Sequence, residues 1–396
     1  MGLFNDMAVL SLEQATTLPY LTYRLAQDGM NVIRLEHPIY GDPNRMVGEN
    51  YLKEEKMNTY YLCINAGKKA ITLNLAEEKG KDILRELIIR LKVDIFATNQ
   101  LPRNYAKLGI DYEGLKRIKS DIIWLGITGF GPDINETAYE PILQARSGLM
   151  DLTGEPQGDP QSLGIPLADM GTGEHAYGVL MRALLKREKT GEGSRIDITM
   201  LESATSWLTV PITLTATFDR HVTRHGNTHQ FFAPVSVFKT KDGYVYIAVG
   251  SDRQWKAMVK LPLFQSLDRA EYEKNEGRIR DVVNLNRSIS KIFSTITSEE
   301  LIKLFNEIGV PISKIKGVPE VLADPLIKRR LLTSRDSKSG LELTLAPPPY
   351  VTPFLKDSDN SLSFPPRFGE HNREIYGNML GYSERDLVKF QERGII

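Results

Sequence analysis

The chain has 396 residues, enough for two domains or for one large domain with an insertion. Apolar residues make up 41% and charged residues 25%, an ordinary globular composition, and 50 basic against 50 acidic side chains leave no net charge. That balance, with no basic block, argues against nucleic acid or an anionic membrane surface as partner, and no apolar run approaches the roughly 20 residues a bilayer span needs. There is one cysteine, Cys63, so no intrachain disulfide can form; it reads as a small buried hydrophobe. With no export signal at the start of the sequence, a reducing cytoplasm is the expected compartment.

The first part alternates strand and helix. Val9 to Leu12 reads as a strand, 14–27 as a helix, and Val32 to Leu35 as a second strand ending at Glu36. After a polar loop, Ala70 to Leu75 looks extended. Residues 77–92 (EEKGKDILRELIIRLK) form an amphipathic helix with Ile83, Leu84, Leu87, Ile88 and Leu91 on one face. Val93 to Ala97, a helix over 111–118, and Ile122 to Thr128 continue the pattern. Strands apolar throughout and separated by helices predict an α/β fold, a parallel sheet covered on both faces. Right-handed crossovers then gather the strands' carboxyl ends on one edge, where such sheets bind ligands. Gln14, Glu36, His37, Asn99 and Gln100 belong to that edge. The first turn (EQATTLP) lacks a glycine triplet, which argues against a dinucleotide fingerprint.

Farther on, Ile165 to Ala168 reads as a short strand ending in Asp169, followed by Gly171, Gly173 and a long helix. A carboxylate there is either an N-cap or a reactive group at a glycine-opened helix start. Near residue 220 the pattern changes. Val235 to Thr240, a Lys-Asp-Gly turn and Tyr244 to Val249 predict a hairpin, with helices following over 253–260, 279–295 and 298–307. A smaller α+β domain inserted over 222–325 is expected. It would divide the large domain into 1–221 and a returning segment, 326–396, which holds a proline-rich extended crossing (345–353).

Several segments in order resemble the class III CoA-transferases, also called the formyl-CoA transferase or CaiB/BaiF type. They are VLSLEQATTLP with GMNVIRLEHPIYGDPNR, NAGKKAITLNL, DIFATNQLPRNYAKLGI, ITGFGPDINETAYEPILQARSGLM, PLADMGTGEHAYG, RHGNTHQFFAP with TKDGYVYIAV, VLADP and GEHNREI. The resemblance covers nearly the whole chain. It implies a Rossmann-like large domain built from both chain ends, a smaller inserted domain, and an interlocked homodimer. It implies CoA transfer between an acyl-CoA and a free carboxylic acid, with the CoA thioester as substrate and no prosthetic group or metal. Asp169 matches the family's catalytic aspartate. A carboxylate nucleophile conserves the thioester by covalent catalysis, through an aspartyl anhydride and an aspartyl-CoA thioester.

The N–H groups near Met170, Gly171 and Gly173 are the candidate oxyanion donors. Gln14, Thr16, Asn99, Gln100 and Lys107 match residues of the CoA groove, and Lys68 and Arg103 are candidate phosphate partners by charge. Tyr139 and Glu140 are placed with the groove; they stand where related α-methylacyl-CoA racemases carry a His-Asp pair. A tyrosine is a poor base at neutral pH, which weighs against racemisation. A non-catalytic CoA-binding protein is the other alternative, and the intact PLAD-x-G-x-G setting argues against it. Arg224 or His229 could meet a second carboxylate in a pocket between the two domains, with a succinyl-CoA-type donor; otherwise Arg224 tethers the linker. The chain departs from the family at Thr17-Leu18-Pro19, at Gln100 in place of an aromatic, and at Gly250-Ser251 in place of a glycine-rich flap.

Overall fold

The computed structural model describes residues 2–396. Six strands, β1 (Ala8–Leu12), β2 (Asn31–Glu36), β3 (Lys69–Thr72), β4 (Ile95–Thr98), β5 (Ile123–Thr128) and β6 (Ser194–Thr199), form one sheet in the order β3-β2-β1-β4-β5-β6. Every pairing is parallel: Leu10 faces Ile33 on one side and Phe96 on the other, and Leu125 faces Ile196. This is the doubly wound Rossmann order, whose direction reverses between β1 and β4. Strands β1, β4 and β5 are buried along their whole length, as their unbroken apolar runs require. Helices α1 (Thr17–Gln27) and α2 (Glu78–Arg90) follow β1 and β3. The face of α2 carrying Ile83, Leu84, Leu87 and Ile88 enters the core beside Leu73, Phe96 and Trp124.

Three features differ from the sequence reading. Strand β6 went unread because Arg195 and Asp197 alternate with Ile196 and Ile198, the pattern of a half-exposed edge strand. Conversely, Ile165 to Ala168 is not a strand. Pro166 is the N-cap of a 24-residue helix, with α3 (Glu140–Ser147) preceding it and Leu167–Thr190 forming α4. Asp169 therefore lies in the first turn of α4, neither at a strand end nor at the cap. Gly173 is there for packing: a Cβ would stand 2.7 Å from Tyr20 Cδ1 on α1. Helix α5 (Met200–Ser206) follows β6, and α6 (Thr209–Phe218) follows α5 with none of its residues buried. Cys63, expected inside, is exposed.

The chain divides into two compact units. The larger holds the residues up to Leu149, Ser162–Ile212 and Arg329–Ile396. Its C-terminal part is stitched to β3: the Asn74 amide donates to Ile395 O at 2.7 Å and the Tyr376 hydroxyl to Thr72 O at 2.8 Å. The last helix, α10 (Glu384–Glu392), buries Leu387 and Phe390 in the same core. The smaller unit holds Met150–Gln161 and Thr213–Lys328, where the pattern change pointed to 222–325. Its antiparallel sheet joins β7 (Val235–Lys239), β8 (Tyr244–Ala248) and β9 (Ile312–Lys314). Helices α7 (Asp252–Val259), α8 (Val282–Phe293) and α9 (Ser298–Glu307) cover it, with Phe293 of α8 against Phe238, Phe264 and Phe305. No helix among the described residues is long and apolar enough to cross a membrane.

Candidate active site

The carboxyl end of β1 leads into a turn, Glu13 to Thr16, that ends at α1. Ala15 takes a left-handed conformation (φ 62°), unusual for a residue with a Cβ. Asp42 holds it there, accepting the Ala15 amide at 3.1 Å, while Asn44 Nδ2 donates to Ala15 O at 2.6 Å. Gln14 and Asn99, at the ends of β1 and β4, bond reciprocally: the Gln14 amide donates to Asn99 Oδ1 at 3.1 Å, and Asn99 Nδ2 donates to Gln14 O at 2.7 Å. The switch point of the sheet is thus closed by side-chain bonds, and the turn it supports delivers Thr17 to Asp169.

Asp169 is about nine-tenths buried. The Thr17 hydroxyl donates to its Oδ1 and also lies 3.7 Å from Met200 Sδ, just past the end of β6. Burial pushes the Asp169 carboxyl up to about 6, the Thr17 hydrogen bond pulls it down, and the negative charge of Glu140 pushes it further up. Glu140 stands at the first position of α3, accepting the Ala168 amide at 3.1 Å and Gln144 Nε2 at 2.7 Å. Gln144 Oε1 in turn accepts the Leu163 amide at 2.9 Å, so α3 pins the segment that starts α4. At pH 7 the carboxylate form of Asp169 predominates by about ten to one, yet its lone pairs are poorly solvated. Such a group is a better nucleophile than an exposed aspartate.

A cavity of about 310 Å³ opens at the carboxyl ends of β1 to β4. Gln14, Gln100 and Lys107 line it with His37, which the sequence reading put on the ligand edge, and with Tyr40 and Asn104, which it had not placed in the site. Asp169 is not in its wall; the Gln14-to-Thr17 turn runs from the cavity to the carboxylate. Burial holds His37 below the usual histidine range, and its Nδ1 accepts the Ile39 amide at 3.2 Å. The neutral ring therefore keeps an Nε2–H to donate.

The other candidates are placed as follows. The Thr16 hydroxyl bonds Tyr60 OH at 2.8 Å, a residue the sequence reading passed over. Lys68 is not at the surface: its ammonium donates to Glu13 Oε1 at 3.0 Å, Pro19 O at 2.8 Å and Asn65 Oδ1 at 2.8 Å. With all three protons committed inside the protein, it has none for a phosphate. Burial pulls its ammonium down to about 8 against the opposing pull of Glu13. Arg103 is exposed, and its amide donates to Asn135 Oδ1 at 3.0 Å. Tyr139, the N-cap of α3, is exposed as well. Met170, Gly171 and Gly173 do not present free amides. The Met170 N–H donates to Pro166 O at 2.9 Å, and the two glycines lie beyond the first turn of α4. Arg224 and His229 stand in the smaller unit. Arg224 Nε donates to Gly158 O at 2.8 Å and Nη1 to Asp151 at 3.0 Å, which ties 150–161 to the linker. His229 Nδ1 accepts the Phe231 amide at 3.1 Å. No cluster of three or more His, Cys, Asp or Glu side chains suited to a metal occurs among the described residues.

Asp169 thus lies buried beside the turn that borders the groove at the switch point of a Rossmann-like sheet. The profile of CoA-transferase family III matches residues 4–372, and the chain belongs to that family. It is similar to human "Succinyl-CoA:glutarate CoA-transferase", 30% identical over 99% of this chain and 89% of the relative. It is likewise similar to "Succinate--glutarate CoA-transferase" of Agrobacterium fabrum, 29% identical over 95% of each chain. Among solved structures, a CaiB/BaiF family protein from Brucella suis superposes with a TM-score of 0.81 at 28% identity, covering 94% of this chain and 98% of the other.

Proposed function

We propose that the chain moves CoA from an acyl-CoA to an acceptor carboxylic acid by covalent catalysis on Asp169. The observation that carries this reading is the state of Asp169: buried, hydrogen-bonded by Thr17, and raised to about 6 with no cation beside it. The Asp169 carboxylate attacks the donor thioester carbonyl, the C–S bond breaks, and CoA leaves as thiolate from a mixed anhydride. The thiolate attacks the aspartyl carbonyl carbon, expelling the donor acid as its carboxylate and leaving an aspartyl-CoA thioester. The acceptor carboxylate attacks that carbon and releases the thiolate. The thiolate then takes the acceptor acyl group, restoring the Asp169 carboxylate. No step spends the thioester on water.

The cavity lined by Gln14, Gln100, Lys107, His37, Tyr40 and Asn104 is the proposed seat of the CoA nucleotide, with Lys107 its cation for phosphate. The acyl arm would follow the Gln14-to-Thr17 turn. The relatives' names support succinyl-CoA as donor and a dicarboxylate as acceptor. A homodimer is part of the reading. Val210 and Ile212 on α6 and Trp207 before it are each about half exposed, an apolar surface suited to a second copy. The test is intact-protein mass spectrometry after mixing with a panel of acyl-CoAs. A CoA or acyl adduct on the native chain and none on Asp169→Ala is expected. No adduct with any donor would reject the mechanism.

A further inference from the structure

We infer that the Thr17 hydroxyl is the oxyanion donor for the steps that pass through the Asp169 carbonyl carbon. The inference rests on the proposed nucleophilic role of Asp169 and adds to it the group that stabilises its intermediates.

The two oxygens of Asp169 are not equivalent. Oδ1 accepts the Thr17 hydroxyl. Oδ2 accepts no hydrogen bond from any described residue and keeps some solvent-accessible surface, so it is the oxygen that remains accessible. Oδ2 is therefore the attacking atom, and it becomes the bridging oxygen of the anhydride. Oδ1 becomes the aspartyl carbonyl oxygen. When the CoA thiolate adds to Cγ, the carbonyl electron pair moves onto Oδ1. Collapse breaks the Cγ–Oδ2 bond, and the donor acid leaves as its carboxylate. The next step mirrors this: the acceptor carboxylate adds to Cγ, charge again gathers on Oδ1, and the C–S bond breaks. In both tetrahedral intermediates the negative charge sits on the one oxygen that already carries the Thr17 proton donor.

The amides on either side of Asp169 are committed. The Ala168 amide is bound to Glu140 and the Met170 amide to Pro166 O. Gly171 and Gly173 lie within the hydrogen-bonded body of α4. Thr17 itself is buried, so its hydroxyl needs no reorganisation of water as charge develops. Its Cβ branch narrows the rotamers open to the hydroxyl, and the 3.7 Å contact to Met200 Sδ adds a second restraint.

The experiment loads the protein with succinyl-CoA at pH 8, where Asp169 is ionised. It follows the aspartyl-CoA adduct by rapid quench and intact mass, then discharges it with hydroxylamine, which attacks the same carbon and needs no knowledge of the acceptor. Removing one oxyanion donor costs about 10²- to 10³-fold in rate. Thr17→Val should slow discharge by about 10²-fold with an unchanged KM for succinyl-CoA. Thr17→Ser, which keeps the hydroxyl, should return to within about tenfold of the native rate. Thr17→Val discharging within a few-fold of native, or Thr17→Ser falling as far as Thr17→Val, overturns the role of Thr17 and leaves Asp169 as nucleophile. Absence of any adduct on the native chain overturns the nucleophile and this inference together.

Discussion

Replacing Asp169 by Asn should make the protein more stable while abolishing transfer. The folded chain raises the Asp169 carboxyl from 3.8 to about 6. Between those values the folded state holds a proton that the unfolded state has released. Unfolding therefore becomes easier as pH rises through this window, and above it the buried carboxylate carries a constant cost. At 1.36 kcal/mol per pH unit the cost is about 3 kcal/mol at pH 7, about half that at pH 5 and small by pH 4. An Asn fills the same space and its Oδ1 still accepts from Thr17, so Asp169→Asn removes the charge without emptying the site. Urea unfolding of both proteins from pH 4 to 8 should show the variant more stable at neutral pH, with the gain shrinking toward zero at pH 4. A gain independent of pH, or a loss at pH 7, would refute the assignment of a strained, buried carboxylate.

The same ionisation should set the acid limb of catalysis. kcat/KM should fall about tenfold per pH unit below about 6, and Glu140→Gln should move that limb to lower pH, because the Glu140 charge holds Asp169 up and a Gln Oε1 still accepts the Ala168 amide. A limb that stays in place in Glu140→Gln would contradict the electrostatic coupling. Lys68→Met should cost about 3–5 kcal/mol by leaving the buried Glu13 with only Arg34, 3.8 Å away, for a cation. Thermal unfolding measures this, and a loss below about 1 kcal/mol would contradict a buried pair in which Glu13 depends on Lys68. Sedimentation should find a dimer that persists on dilution, whereas a concentration-dependent monomer would exclude interlocked chains.

Sheet and motif were legible for different reasons. The largely apolar runs of β1, β4 and β5, alternating with helical segments, read as strands buried on both faces, so the parallel sheet and its ligand edge could be read from hydropathy and element order together. Strand β6 escaped because an edge strand alternates, and its Arg195 and Asp197 resemble loop residues. The start of α4 was misread for a subtler reason. Glycines after an apolar run read as a strand end opening into a helix, but the helix already begins at Leu167, and Gly173 sits inside it because α1 passes too close for a Cβ. Lys68 was misplaced because a lone lysine reads as solvated, and Glu13, the partner that lets it be buried, lies 55 residues away. Asp169 could be singled out as a candidate from its motif. Its environment could not, because burial and the hydroxyl of Thr17, 152 residues distant, set it. Thr17 carries no local mark of a site residue: it follows β1 as one threonine of two. Only the packing of α1 on α4 brings its hydroxyl to one oxygen of Asp169, leaving the other for the proposed attack.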